Sequence, residues 1–181
     1  MSLTQSKVII GLINPKSPTN VGGVMRACGC YGANQVSYTG KRYEFAAKNF
    51  TQYNTDTKHI SKKVPLNGVT DLLENLPEDM EIVCVDLVEG ATALPEFTHP
   101  QNAIYIFGPE DGTIPQVVIN KADSVVYVPT IGCMNLAASV NVLLYDRLAK
   151  SAQAKGSNDL IKSSRDTNNR VKVSTAKSIA N

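Results

Sequence analysis

Apolar and polar positions along the chain fall into short blocks of two kinds. Val8–Ile13 (VIIGLI), Gln35–Thr39, Glu81–Asp86 (EIVCVD), Ala103–Phe107 (AIYIF) and Ser124–Val128 (SVVYV) are brief runs rich in apolar and β-branched residues, the pattern of buried strands. Between them the spacing turns helical. Val21, Val24, Met25 and Cys28 share one face of a helix that Gly32 ends. Tyr43–Phe50 reads as a helix carrying aromatics, Val69–Leu76 as a short helix stopped by Pro77, and Ile114–Asn120 as another starting near Pro115. The longest helix runs from Met134 to about Lys155, with Leu136, Val140, Leu143, Leu144 and Leu148 as its apolar stripe. Residues 51–68 read as an irregular polar connection, and no segment repeats. Strands that are apolar throughout and alternate with helices predict an α/β fold, a parallel sheet with helices on both faces.

Composition adds boundaries to this picture. A chain of 181 residues fits one domain, placed at 1–155, followed by a polar tail over 156–181. The tail is rich in Gly, Ser, Asn, Lys and Arg and is expected to be mobile or only locally ordered. Net charge is +2, but residues 1–150 hold 12 Lys and Arg against 14 Asp and Glu, while residues 151–181 hold 6 against 2. That asymmetry points to an acidic polymer as partner, or to a simply solvated tail. No run approaches the ~20 consecutive apolar residues of a membrane helix. The polar start, Met1–Lys7, lacks the order of a signal peptide, so a cytoplasmic protein is expected. Cys28, Cys30, Cys84 and Cys133 lack metal-site spacing and read as small packing residues; no metal is expected.

Three separated segments hold polar residues that a packed α/β core does not require. Asn20-Val-Gly22-Gly23-Val-Met-Arg26 lies where a loop becomes a helix, so free backbone N–H groups point outward near Asn20. Taken alone, Asn20 reads as an N-cap and Arg26 as a surface residue, although the glycine pair suggests that something approaches the backbone closely. Phe107-Gly108-Pro109-Glu110-Asp111-Gly112-Thr113 directly follows a strand, where open α/β sheets bind ligands. It is neither a Walker loop nor a dinucleotide fingerprint. Val128-Pro129-Thr130-Ile131-Gly132-Cys133-Met134-Asn135-Leu136 follows another strand and leads into the last helix.

In this order and strand context the three segments resemble the motifs of the SpoU/TrmH family of RNA 2'-O-methyltransferases, within the SPOUT superfamily. The first motif matches at Asn20, Gly22 and Arg26, the second at Gly108 and Glu110, the third at Pro129, Met134 and Asn135, over roughly residues 7–150. The run Arg26-Ala-Cys28-Gly-Cys-Tyr-Gly32 is similar to the short TrmL branch, which acts on tRNA. The chain departs from the pattern at Cys133, where the family has Ser. It departs also in a shorter 129–133 loop, and in Gly112, two residues after Glu110 rather than three.

The resemblance implies a C-terminal trefoil knot, a rare exception to unknotted topology, and a homodimer formed through the first and last helices. It implies S-adenosylmethionine as cofactor, held by Val85, Asp86, Phe107, Gly108, Gly112, Val128, Thr130, Ile131, Cys133, Met134 and Leu136. It makes Arg26 the catalytic candidate, with Asn20, Glu110 and Asn135 shaping the pocket, and RNA the substrate, either tRNA or rRNA. Lys41, Arg42, Tyr43, Lys58, Lys62 and Lys63, interleaved with Phe45, Phe50 and Tyr53, suit phosphates and stacked bases, or else form a solvated face. Lys155, Lys162, Arg165, Arg170 and Lys172 offer a second RNA contact. His59 and His99 read as incidental. The competing reading is a member of the same fold that binds RNA without turnover.

Overall fold

The computed structural model describes residues 6–48 and 59–173. Seven strands form one sheet: β1 (Val8–Leu12), β2 (Gln35–Tyr38), β3 (Leu66–Gly68), β4 (Glu81–Val85), β5 (Thr92–Ala93), β6 (Ala103–Phe107) and β7 (Ser124–Tyr127). Their spatial order is β3-β2-β1-β6-β4-β7-β5, and every pairing is parallel. The central strands β1 and β6 are buried along their whole length, and their side chains divide by the two-residue period of a strand. Val8, Ile10, Leu12, Ala103, Tyr105 and Phe107 join the core on one face; Ile9, Ile104 and Ile106 join that on the other.

The first face is covered by α1 (Pro18–Tyr31) and α4 (Leu136–Ala149), which lie against each other. Val21, Val24, Ala27 and Cys28 of α1, and Leu136, Val140, Leu143 and Leu144 of α4, are buried there. The second face is covered by α3 (Gln116–Ile119) and by residues 69–76. A parallel sheet covered on both faces, as the apolar strands predict, is therefore what this chain builds. Gly23 shows how closely α1 and α4 approach: a Cβ built on it would stand 2.8 Å from the Cβ of Ala137. Gly23, next to the first-motif glycine Gly22, is thus occupied by packing between helices.

Several local expectations are corrected. Helix α1 begins at Pro18 rather than Val21, because Ser17 caps it and Pro18 at the first helical position suits that start. Gly32 ends it in the left-handed conformation, φ 73°, with its N–H donated to the Cys28 carbonyl. Residues 69–76 form turns, not a helix: Asn75 has a positive φ of 58° and the Asp71 side chain accepts from the Leu73 amide. Leu72 is buried all the same, so the apolar spacing reflects contact with the sheet. Edge strands β3 and β5 and the 3-10 turns Ile60–Lys63 and Leu94–Glu96 were not foreseen. Helix α2 covers Arg42–Ala47, α3 is four residues long, and the last helix of the domain stops at Ala149. In the tail, α5 (Asn158–Ser164) is capped by Ser157 and buries no residue.

His99 is not incidental. Its ring lies between the Tyr105 hydroxyl (2.8 Å from Nδ1) and Asp146 (2.9 Å from Nε2), with its side chain only 5% exposed. Arg147 donates to the Tyr105 hydroxyl and to the carbonyls of Pro100 and Gln101, and Lys150 donates to those of Leu94 and Phe97. These bonds fasten the end of α4 to the chain between β5 and β6.

Candidate functional site

Because all strands are parallel, their carboxyl ends open on one edge, where α/β sheets bind ligands. The register decides which loops meet there. Leu12 of β1 pairs with Phe107 of β6 on one side and with Tyr38 of β2 on the other. Segments more than ninety residues apart in sequence therefore leave the sheet side by side.

Glu110 ties them together. Its Oε2 accepts from the Lys16 amide at 2.9 Å, and its Oε1 accepts from the Ser17 amide at 3.0 Å and from Asn20 Nδ2 at 3.0 Å. Asn20 Oδ1 in turn accepts from Asn135 Nδ2 at 2.8 Å. Asn135 caps α4, its Oδ1 accepting from the amides of Ala137 and Ala138. One polar chain thus runs Glu110–Asn20–Asn135 through all three motif segments. Burial pushes the Glu110 carboxyl up. The hydrogen bonds from Asn20, from the Lys16 amide, from its own amide and from the Ser17 amide outweigh this and hold it below the usual carboxylate value.

Beside this chain lies an open cleft of about 170 Å³, lined by Val85, Asp86, Leu87, Phe107, Gly108, Pro109, Glu110, Gly112, Val128, Thr130, Cys133, Met134, Leu136 and Ser139. Its walls come from the segments that follow β4, β6 and β7. Asp86 links the first two: its carboxylate accepts from Thr113 Oγ1 at 2.6 Å and from the Ile114 amide at 2.8 Å. The walls are mixed, with Val85, Phe107, Val128, Met134 and Leu136 apolar and backbone groups at Gly108 and Gly112. That mixture suits a ligand with both an aromatic and a zwitterionic part. The volume is below the ~300 Å³ of small enclosed ligand pockets, so such a ligand would lie across the cleft, partly exposed.

Of the residues expected around a cofactor, the cleft includes Val85, Asp86, Phe107, Gly108, Gly112, Val128, Thr130, Cys133, Met134 and Leu136. Ile131 is the exception. It is fully exposed at the tip of a loop drawn in by a bond from Thr130 Oγ1 to the Gly132 carbonyl. Leu87, Pro109 and Ser139 were missed, although Ser139 stands one turn beyond Asn135 and donates to its carbonyl. Asn20 and Asn135 do not line the cleft; they hold Glu110 and the start of α4, which do. Arg26 is exposed on α1 and is also outside the lining.

The basic residues are dispersed. Lys41 is exposed just before α2, and Arg42 reaches Asp111 with Nη1 at 2.9 Å. Lys62 and Lys63 end the 3-10 turn packed against α1. Tyr43, expected to meet RNA, is half-buried against the core in an edge-to-face contact with Tyr38, ring centroids 5.1 Å apart. Phe45 is exposed, with Lys48 Nζ 5.2 Å from its ring centroid. Lys58, Phe50 and Tyr53 lie outside the described residues. Among the described residues no group of side chains is arranged to hold a metal ion, and no helix is long and apolar enough to cross a membrane.

No curated protein matches the chain in sequence. Solved structures with the same fold include the A. aeolicus TrmH/SpoU tRNA modifying enzyme, 21% identical over 79% of this chain and 74% of that one, TM-score 0.62. A second, described as giving structural insights into the 2-OH methylation of C/U34 on tRNA, is 21% identical over 83% of this chain and 92% of that one, TM-score 0.65. A third is the SpoU methyltransferase AviRb from Streptomyces viridochromogenes in complex with AdoMet, 17% identical, TM-score 0.62; the match covers 82% of this chain and 62% of that one. The model of the SpoU rRNA Methylase family matches residues 7–145, from β1 into the last turns of α4, and the chain belongs to that family of RNA methyltransferases.

Proposed function

We propose that the chain transfers a methyl group from S-adenosylmethionine to a ribose 2'-hydroxyl of RNA, with tRNA as the substrate. The observation that carries this reading is the Glu110–Asn20–Asn135 chain, which draws three motif segments together beside a cleft of mixed polarity. Val85, Phe107, Val128 and Leu136 would enclose the apolar parts of the cofactor, and the backbone at Gly108 and Gly112 its polar groups. When bound, the cofactor supplies a methyl group activated by its sulfonium. The protein's part is then to hold a hydroxyl in line with that methyl, and orientation supplies much of the rate.

Arg26 is the catalytic residue of this reading. A guanidinium keeps its proton throughout the working pH range and is a poor base. Its role is to grip a phosphate of the substrate and to stabilise the charge that develops on the ribose oxygen, whose proton leaves to water as the methyl passes from sulfur to oxygen. Glu110, its carboxyl held below the usual value, is spent on the donors that surround it, so it holds the loops. The first and last helices are taken to pair with a second copy, exposed Val142 and Tyr145 of α4 supplying apolar contact. The segment from β7 into α4 is taken to be threaded as a trefoil knot.

Incubation with methyl-labelled S-adenosylmethionine and bulk tRNA, followed by nucleoside digestion, should yield 2'-O-methyl nucleotides. Arg26→Ala should lower the rate by about 10²-fold or more, the scale of losing one charge-stabilising donor, with cofactor binding by calorimetry retained. Cofactor binding without label in tRNA or rRNA would point to a narrower RNA substrate or a required partner, and would count against the RNA-binding reading without turnover. Absence of both would end the methyltransferase reading.

A further inference from the structure

We propose that Lys16 and Arg42 form a phosphodiester-binding site at the edge of the cleft, in which the Asp111 carboxylate stands where an RNA phosphate binds and is displaced by it. The inference rests on the RNA-modifying reading above and names a part of the substrate that the site grips.

The sheet register brings the three side chains together. Leu12, Tyr38 and Phe107 stand side by side at the ends of β1, β2 and β6. Lys16, Arg42 and Asp111 each follow four residues later, Lys16 and Asp111 in loops and Arg42 at the first residue of α2. Lys16 Nζ lies 3.4 Å from one Asp111 oxygen, and Arg42 Nη1 lies 2.9 Å from the other. Two cations thus each hold a different oxygen of one anion, as they would hold the two free oxygens of a phosphodiester.

The two neighbouring carboxylates are not equivalent. Glu110 has a side chain 13% exposed and is fixed by two backbone amides and Asn20. Asp111 has a side chain 46% exposed and is held by the two cations. Exposed ion pairs contribute little net stability, so an incoming anion displaces Asp111 at small cost. Arg42 is also short of acceptors. Its Nε and Nη2 are buried without a hydrogen-bond partner, and Nη2 stays 3.8 Å from Glu110, beyond hydrogen-bonding distance. A guanidinium presents five donors in a fork that matches phosphate, and here one nitrogen of three is engaged. A phosphate in place of Asp111 gives that fork the acceptors it lacks. Glu110 belongs to the cleft wall, so the phosphate held here would sit next to the methyl donor.

The test uses the full chain, fluorescently labelled bulk tRNA, and a set of variants checked for unchanged thermal melting and cofactor binding. Asp111→Asn should bind tRNA several-fold more tightly than wild type. Glu78→Gln, which removes an equal charge from an exposed loop elsewhere, should leave affinity unchanged. Lys16→Ala and Arg42→Ala should each weaken binding and reduce the slope of log K against log salt by about one contact's worth, ~0.9. Arg42→Lys should recover only part of the loss. Above all, Asp111→Asn should give no gain when Lys16 and Arg42 are both Ala. A gain that persists in that background, or that Glu78→Gln reproduces, would assign the effect to general charge and overturn the site. So would Asp111→Asn binding no tighter than wild type. A wild-type protein that binds neither cofactor nor tRNA removes the parent reading and this one with it. One that binds both while the variants behave additively removes this one alone.

Discussion

Asn20 uses both halves of its side-chain amide, giving Nδ2 to Glu110 and taking a bond at Oδ1 from Asn135. Asn20→Asp keeps the shape and reverses one half, setting a second carboxylate 3.0 Å from Glu110 in place of a donor. Two carboxylates so close cannot both ionise, and one must titrate above its usual value. The variant should lose about 1–3 kcal/mol at neutral pH, the scale of a polar group left without its partner. In wild type, Glu110 is held below its ordinary value, so its contribution is present above that value and fades as pH falls through the lower folded value. In Asn20→Asp the raised carboxyl should make stability recover as pH falls. Urea melts at neutral and mildly acidic pH check this; parallel curves would remove the argument. At this scale the sequence supplies Asn20, Glu110 and Asn135 as polar residues at strand–helix junctions. Nothing local announces that Arg42 meets Asp111, because that contact depends on β1 lying between β2 and β6.

Helices α1 and α4 meet at Gly23 and Ala137, and the distance between them is set by a missing methyl group. Gly23→Ala gains helix propensity, about 0.5–1 kcal/mol, and inserts a carbon where 2.8 Å is available. Overpacking of that kind costs roughly 1–3 kcal/mol, so the variant should be net destabilised. Gly23→Ala with Ala137→Gly returns the space and should recover most of the loss; a double mutant no better than the single would show that the contact does not limit the approach. Both helices are legible as elements, since their apolar stripes repeat over several turns. Residues 69–76 show the limit of the same signal. Val69, Leu72, Leu73 and Leu76 carry helical spacing and pack on the sheet, but Asn75 and Asp71 turn the backbone out of a helix. Apolar spacing reports which residues touch the core, and a helix is only one way to deliver them. Strands β3 and β5 escape for the opposite reason: three and two residues at sheet edges carry almost no pattern.

For the molecule as a whole, the far end of α4 depends on His99. Burial pushes its pKa down, and Asp146 offsets this only in part, so the folded value lies below the unfolded one. The unfolded chain then takes up a proton before the folded one does. This contribution to stability is present above about pH 6.5 and is lost as pH falls toward the folded value. Unfolding free energy measured in urea should fall more steeply from about pH 7 to 5 in wild type than in His99→Gln, and equal slopes would clear His99 of the effect. His99 escaped the sequence reading because Tyr105 and Asp146 lie on a strand and a helix with no local link to it. At the other end of the sheet, a single carboxylate belongs to two surfaces at once. Glu110 forms part of the cleft wall, and the same two oxygens hold the amides of Lys16 and Ser17. Whatever occupies the cleft and whatever rests on the loop before α1 therefore share one set of bonds. Thermodynamic reciprocity then applies: the factor by which a ligand in the cleft alters affinity for RNA on that loop is the factor by which the RNA alters affinity for the ligand.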